Sequence, residues 1–210
     1  MSRRRSPQQN GSVAEEAARL ICEDAITDYR LAKRKAAERL GLPPNVPQPD
    51  NARVEAAVIE YQRLYGGREY ADHLRAMRQV AIKAMRLLAS FEPRLVGGTV
   101  SGAVSTAHRV QLHAFADKAE QLDIFLQDRS IPYEEDERDY RYPDGSQATI
   151  PIVHFEADAV GIDVAMFPPD ELRHPPLSPT SGQVAKRLPL VEAEKLAVQP
   201  IETLIDDQSE

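Results

Sequence analysis

The sequence predicts an α+β fold, in which helices occupy the first half of the chain and a small mixed or antiparallel β-sheet the second half. Two observations carry this prediction. Before residue 93, apolar residues recur three or four positions apart, which is the spacing of a helix with one buried face. After residue 93, short alternating or β-branched segments are separated by turn signals, which is typical of strands. A chain of 210 residues is long enough to bury a core.

Capping signals and glycines define the helical segment, residues 13–92. Ser12 and Glu15 have the spacing of a capping box and predict that the first helix begins at Val13. Asn51 is expected to cap the second helix, and Pro93 to follow the third. The three predicted helices cover residues 13–40, 52–65 and 69–91. Residues 1–12 are polar, lack periodicity and are predicted to form a disordered tail.

The α+β core is predicted at residues 93–168. Its strands are expected at residues 94–96, 110–115, 148–155 and 162–167. Asp117 is a candidate cap for a helix between the second and third of these strands. A charged, aromatic run at 133–142 leads into a strong turn signal at 143–146. Residues 169–210 are expected to form a proline-rich strap, a short helix near Leu190 and an acidic tail.

Composition excludes several classes of function. The chain has 26 basic and 33 acidic side chains, and a net charge of −7 argues against nucleic-acid binding, which usually needs a basic surface. Cys22 is the only cysteine, so an internal disulfide and a cysteine-based zinc site are both excluded. No apolar run approaches the roughly 20 residues of a membrane span, and the first residues lack the apolar region of an export signal. We therefore expect a cytoplasmic protein with no membrane partner.

The most informative motif is an apolar run that enters a turn of glycines and hydroxyl residues, Leu95 to Gly102. Glycines of this kind let backbone N–H groups approach a phosphate closely, because no Cβ blocks the way. A strand at 110–115 follows, and Asp163 lies on a later one. In order and spacing, residues 94–167 resemble the nucleotidyltransferase superfamily, the polymerase-β-like fold, in a divergent bacterial form.

The resemblance implies a sheet of the nucleotidyltransferase type and a nucleoside triphosphate as the ancestral substrate. It also implies Mg²⁺ as cofactor and Asp163 as a catalytic residue and metal ligand. The residues that it implies for nucleotide binding are Gly97, Gly98, Thr99 and Gly102.

The chain departs from that family at the strand after the glycine turn, where the family has a pair of acids. With a third acid, such a pair holds two divalent cations about 4 Å apart, and these clamp the attacking and leaving oxygens. In one alignment the pair falls on Arg109 and Gln111, and in another on Gln111 and His113. Neither alignment supplies a carboxylate. The sequence therefore predicts a catalytically weakened member that retains triphosphate binding through its glycine-rich loop.

Two other functions stay open. In the first, the chain is a non-enzymatic interaction module that binds a protein partner, and the glycines only form a turn. In the second, it is an active, metal-dependent transferase with ligands relocated to Asp117 or Asp158. A single transition metal held by His113 and Asp163 is a further arrangement that these residue types allow. The sequence leaves open whether the protein is an enzyme.

Overall fold

The computed structural model describes residues 7–43 and 45–204, with side chains from residue 11 onward. Its α-helices are α1 (Pro7–Glu23), α2 (Tyr29–Arg39), α3 (Asn51–Tyr65), α4 (Gly67–Leu87), α5 (Gly98–Ser101), α6 (Glu120–Gln127) and α7 (Leu190–Ala197). Its strands are β1 (Arg94–Val96), β2 (Val110–Phe115), β3 (Tyr133–Arg141), β4 (Gln147–Ala157) and β5 (Val160–Phe167). Short 3₁₀ turns cover Ala89–Phe91 and Pro169–Arg173. The predicted α+β class is confirmed. In the described part of the chain, no helix has the length and apolarity that a membrane span requires.

The five strands form one mixed sheet in the order β1-β2-β5-β4-β3. Strands β2 and β5 are parallel, whereas every other neighbouring pair is antiparallel. Gln111 pairs with Asp163, and on the other side of β5 Asp163 pairs with His154. Because side chains alternate between the two faces of a sheet, directly paired residues share a face. Gln111, Asp163 and His154 therefore project from the same face of three adjoining strands.

The described residues divide into two compact units, which we call the helical unit and the sheet unit. The helical unit comprises residues 7–71, 103–107 and 202–204, and the sheet unit residues 72–102 and 108–201. In the helical unit, α1, α2 and α3 bury alanines and aliphatic residues such as Leu20, Ala32 and Val58. In the sheet unit, one core cluster contains Phe115, Tyr140, Tyr142, Ile150, Ile152, Ala165 and Phe167.

The first predicted helix is wrong in both its start and its continuity. The chain is already helical from Pro7, so Ser12 lies inside α1 and the predicted tail is helical over residues 7–12; residues 1–6 lie outside the described part. The helix then breaks after Glu23, where Ala25 has a φ of +55°. Asp28 begins α2 by accepting hydrogen bonds from the N–H groups of Arg30 and Leu31. A side chain that caps a new helix thus divides a stretch whose apolar spacing looks continuous.

Two predicted caps are also wrong, although the elements that they flank are present. Asp50, not Asn51, caps α3 through a hydrogen bond from the Arg53 N–H. Helix α6 begins after Ala119 without a side-chain cap, so Asp117 does not have that role. The third predicted helix ends as an α-helix at Leu87 and continues into the 3₁₀ turn Ala89–Phe91.

The strands agree more closely with the prediction. Strands β1 and β2 have the predicted limits, and the charged run at 133–142 forms β3, an edge strand whose acidic side chains deter pairing with another sheet. The proline-rich strap covers the opposite edge, where Leu95 and Leu188 exchange two backbone hydrogen bonds of 2.8 and 2.9 Å. Helix α7 lies where a short helix was predicted, and residues 205–210 of the acidic tail lie outside the described residues.

Candidate functional site

The glycine-rich turn follows β1 directly. Gly97 has φ +72° and ψ −153°, a conformation that is essentially restricted to glycine. A Cβ at this position would overlap Oε1 of Gln111 on the neighbouring strand. The Gly97 carbonyl accepts hydrogen bonds from the N–H groups of Val100 and Ser101, at 3.0 and 3.2 Å. Gly97 therefore sets the turn and allows the close approach of Gln111.

The other predicted nucleotide-binding residues have different roles in this turn. Gly102 ends α5 with a φ of +89°, and its N–H donates to the Gly98 carbonyl at 2.7 Å. Thr99 is 1% exposed, and its hydroxyl is buried without a hydrogen-bond partner. Gly98 and Thr99 are the first two residues of α5, where backbone N–H groups have no acceptor within the helix. A ligand of this turn would therefore not reach the buried Thr99 hydroxyl.

The sheet brings the predicted motif together beside this turn. Gln111 contacts Gly97 on one side and pairs with Asp163 on the other. Arg109 immediately precedes β2, and its Nε donates to Oδ1 of Asp163 at 2.5 Å. The glycine turn, both positions of the first alignment and Asp163 are therefore neighbours, as the order of the sequence motif predicts.

Asp163 is held as a buried, paired carboxylate. The residue is 8% exposed, and its Oδ1 accepts a second hydrogen bond, from Nδ1 of His154 at 2.8 Å. Arg109 also donates from one terminal nitrogen to the carbonyls of Phe155 and Ile162, at 3.1 and 3.3 Å. Charge-assisted hydrogen bonds of this kind stabilise a carboxylate away from water. The guanidinium thus compensates the charge of Asp163 and joins the start of β2 to β4 and β5.

Gly161 makes room for this guanidinium and was not singled out from the sequence. A Cβ on Gly161 would overlap the terminal nitrogen and central carbon of Arg109. Here glycine is required for a close approach and not for its backbone angles. In the sequence, Gly161 stands two residues before Asp163. No neighbouring residue, however, indicates that Arg109, about fifty residues earlier, lies against this glycine.

His154 extends the polar cluster toward the edge strand. Its Nε2 lies 3.6 Å from Oδ2 of Asp136 on β3. The backbone N–H of Glu137 lowers the pKa of Asp136, and the His154 imidazole lowers it further. Arg109, Asp163, His154 and Asp136 therefore form a row in which nitrogen-bearing side chains alternate with carboxylates. Sequence reasoning missed His154, which only the pairing of β4 with β5 places here.

The relocated metal ligands do not meet at this site. Asp117 lies two residues past the end of β2, whereas Gln111 is the second residue of that strand. Asp158 lies at the turn between β4 and β5, and its carboxylate binds Nζ of Lys83 at 2.6 Å. Among the residues that the structure describes, no group of three or more histidine, cysteine or acidic side chains is arranged to hold a metal ion.

His113 faces the strap and is not a partner of Asp163. It pairs with Ala165 on β5, and its Nδ1 accepts a hydrogen bond from Nε of Arg187 at 2.9 Å. The Arg187 guanidinium also lies 4.8 Å from the ring centre of Phe167 and donates to the Glu171 carbonyl. Burial lowers the pKa of Arg187 to about 10. His113 and Arg187 therefore fasten the strap to the sheet.

The buried imidazole of His113 predicts a loss of stability in acid. Burial, and then the charges of Arg187 and Arg138, hold the pKa of His113 well below its ordinary value of 6.5. Below pH 6.5 the unfolded chain takes up a proton that the folded chain does not, so the free energy of unfolding falls as the pH decreases. The slope from this residue approaches about 1.4 kcal/mol per pH unit. Urea unfolding between pH 7.5 and 5 measures it.

A pair of histidine variants separates this effect from other titrations. His113→Gln keeps a neutral acceptor for Arg187 and is expected to flatten the dependence on pH. His174→Gln, at an exposed histidine, is the matched control and should keep the slope of the parent protein. Equal slopes in all three proteins would contradict the assignment to His113.

No protein-family model matches this chain, and a search of curated proteins found no similar sequence.

Proposed function

We propose that this protein is a nucleotidyltransferase-like protein that does not use two-metal catalysis and binds a nucleoside triphosphate at its glycine turn. A bacterial, cytoplasmic protein is part of the same proposal. The observation that carries it is the Arg109–Asp163 pair beside Gly97 and Gln111. The pair explains how the motif can stay assembled although this chain has no carboxylates at the strand positions where the family that it resembles has paired acids.

Electrostatic repulsion disfavours two-metal chemistry at Asp163. Asp163 is the one carboxylate among the three positions that the family alignment assigns to metal binding, and its Oδ1 already accepts from Arg109 and His154. A cation at Asp163 would lie beside the Arg109 guanidinium, and two unit charges 4 Å apart repel by roughly 4 kcal/mol near a protein surface. The Gln111 amide brings no charge to offset this repulsion. Arg109 thus supplies internally the positive charge that Mg²⁺ would bring.

The support for triphosphate binding comes from the backbone of the turn. The N–H groups of Gly98 and Thr99 have no acceptor within α5, and both Gly97 and Gly98 are partly exposed. Backbone N–H groups that diverge little in direction are suitable donors to phosphate oxygens. Because no strand carboxylates are available to share a metal, the proposed binding does not depend on Mg²⁺.

A thermal-shift titration with ATP, GTP, CTP and UTP, each with and without Mg²⁺, tests this function. We expect at least one triphosphate to raise the melting temperature without Mg²⁺, and to raise it further as its concentration increases. At 100 times the dissociation constant, a bound ligand stabilises by about 2.7 kcal/mol. Gly98→Val should abolish the shift because its side chain blocks the approach to the two amides.

The matched control is Thr99→Val, which keeps the buried shape and removes only the unpaired hydroxyl. This variant should bind as the parent protein does, since the proposed contact at Thr99 is its backbone. No shift with any triphosphate would contradict the proposal and favour the interaction module. Mg²⁺-dependent turnover that Asp163→Ala abolishes would instead favour an active transferase.

A further inference from the structure

Arg78 is a buried arginine on a face of α4 that is otherwise apolar. It is 7% exposed, and its neighbours one helical turn away, Leu74, Ala81 and Ile82, are buried as well. Arginine is almost never buried to this extent unless its charge and its N–H groups have partners. Neither the apolar core of the sheet unit nor the Arg109–Asp163 pair accounts for a guanidinium at this position.

The Arg78 side chain connects the glycine turn to the end of α7. Its Nε donates to the Thr99 carbonyl at 3.2 Å, and its Nη1 donates to the Leu196 carbonyl at 3.4 Å. Thr99 is the second residue of the short helix α5, and Leu196 is the last but one of α7. The last four carbonyls of a helix have no N–H partner within it, and both of these carbonyls are in that position. Arg78 therefore holds Thr99, and with it the glycine turn, in place.

The charge of Arg78 also lies close to the amides that we propose as donors to phosphate. Its Nε contacts the carbonyl of Thr99, and the N–H of the same residue is no more than about 7 Å away, because one residue spans at most about 3.6 Å. An arginine side chain is always protonated in a protein. Charges nearer than the Debye length of roughly 10 Å are weakly screened by salt, and buried ones still less. Arg78 thus attracts an anion that binds at the N–H groups of Gly98 and Thr99.

We propose that Arg78 is a positioning residue that makes the glycine turn selective for a chain of phosphates. This role rests on the triphosphate site proposed above and specifies what that site recognises. The turn selects its ligand by negative charge, so inorganic tripolyphosphate binds without a nucleoside and binds more tightly than pyrophosphate. Arg78 contributes by fixing Thr99 and by adding a positive charge behind the turn.

Isothermal titration calorimetry with inorganic tripolyphosphate, without Mg²⁺, tests this role in the variants Arg78→Lys and Arg78→Gln. Both new side chains carry N–H donors for the Thr99 carbonyl, but only lysine is charged. We expect Arg78→Lys to bind within about threefold of the parent protein and Arg78→Gln about tenfold more weakly or worse, as one unit charge at this distance implies. With pyrophosphate, which carries less charge, the ratio between the two variants should be smaller. A loss of packing alone would not depend on the charge of the ligand.

Arg86→Gln is the matched control. Arg86 also joins α4 to α7, through an ion pair with Glu194, but its side chain is 62% exposed. This variant should bind tripolyphosphate as the parent protein does, and a loss as large as that in Arg78→Gln would overturn the role of Arg78. If Arg78→Gln does not fold, Arg78→Lys decides alone, and binding about tenfold weaker than in the parent would overturn the role.

The remaining outcomes separate this role from the proposed function. Equal affinities in Arg78→Lys and Arg78→Gln would overturn the role of Arg78 and leave the triphosphate site in place. A parent protein that binds a nucleoside triphosphate but not tripolyphosphate would do the same. A parent protein that binds neither would overturn the proposed function as well.

Discussion

Arg109→Ala is expected to lower the free energy of unfolding by about 3 kcal/mol, because it leaves a buried carboxylate without its cation. Asp163 is 8% exposed and would keep only the hydrogen bond from His154. The variant also loses the links from Arg109 to the carbonyls of Phe155 and Ile162. Urea unfolding of the variant and parent proteins at pH 7 measures the change.

Lys83→Ala is the matched control, because it also removes the cation of a single ion pair on the sheet unit. The side chains of Lys83 and Asp158 are 65% and 59% exposed, and exposed pairs contribute little. We expect this control to change stability by no more than about 0.5 kcal/mol. If Arg109→Ala lowers the free energy of unfolding by no more than Lys83→Ala does, the Arg109 guanidinium does not compensate the buried charge of Asp163.

Gly97→Ala is expected to destabilise the protein by a comparable amount, about 3 kcal/mol, from two separate causes. The backbone angles at this residue are strained for any side chain, at a cost of about 1–3 kcal/mol. The added methyl also overlaps Oε1 of Gln111, so the amide side chain must move. The midpoint and slope of a urea unfolding curve report the loss.

Two further variants separate these causes. Gly145 lies in the turn between β3 and β4 at a φ of +88°, and a Cβ at this position would have no heavy atom within 4 Å. Gly145→Ala is therefore expected to lower the free energy of unfolding only through its unfavourable backbone angles, by about 1–2 kcal/mol. Gln111→Ala in the Gly97→Ala background removes the overlap and should recover about 1 kcal/mol as a coupling energy. Equal losses in Gly97→Ala and Gly145→Ala, with no coupling, would show that Gln111 does not press on Gly97.

These two predictions concern the residues that stand where the resembling family has its paired acids. Arg109 binds Asp163, and Gln111 covers Gly97. Both side chains therefore have a structural role beside the glycine turn. Triphosphate binding and the loss of two-metal catalysis stay predictions, to be decided by the titration described above.

Local signals in the sequence were sufficient for most of the secondary structure. Strands β1 and β2 were predicted to the residue, because Pro93 and Gly97 flank β1 and apolar alternation marks β2. The break between α1 and α2 was missed, since Asp28 becomes a cap only when Ala25 turns the chain. The charged run that forms β3 was not predicted to be a strand by itself, because its polarity reflects an edge position that only the sheet defines.

The amino-acid sequence alone was sufficient to predict the α+β class and to show that residues 109, 111 and 113 are not carboxylates. These follow from residue type and spacing, which act over a few neighbours along the chain. The groups that contact Asp163, in contrast, become apparent only in the folded sheet. Arg109 precedes β2 and His154 lies on β4, 54 and 9 residues away in sequence, and Gly161 makes room for Arg109. Such contacts depend on strand order and register, and those are fixed by the packing of the whole sheet.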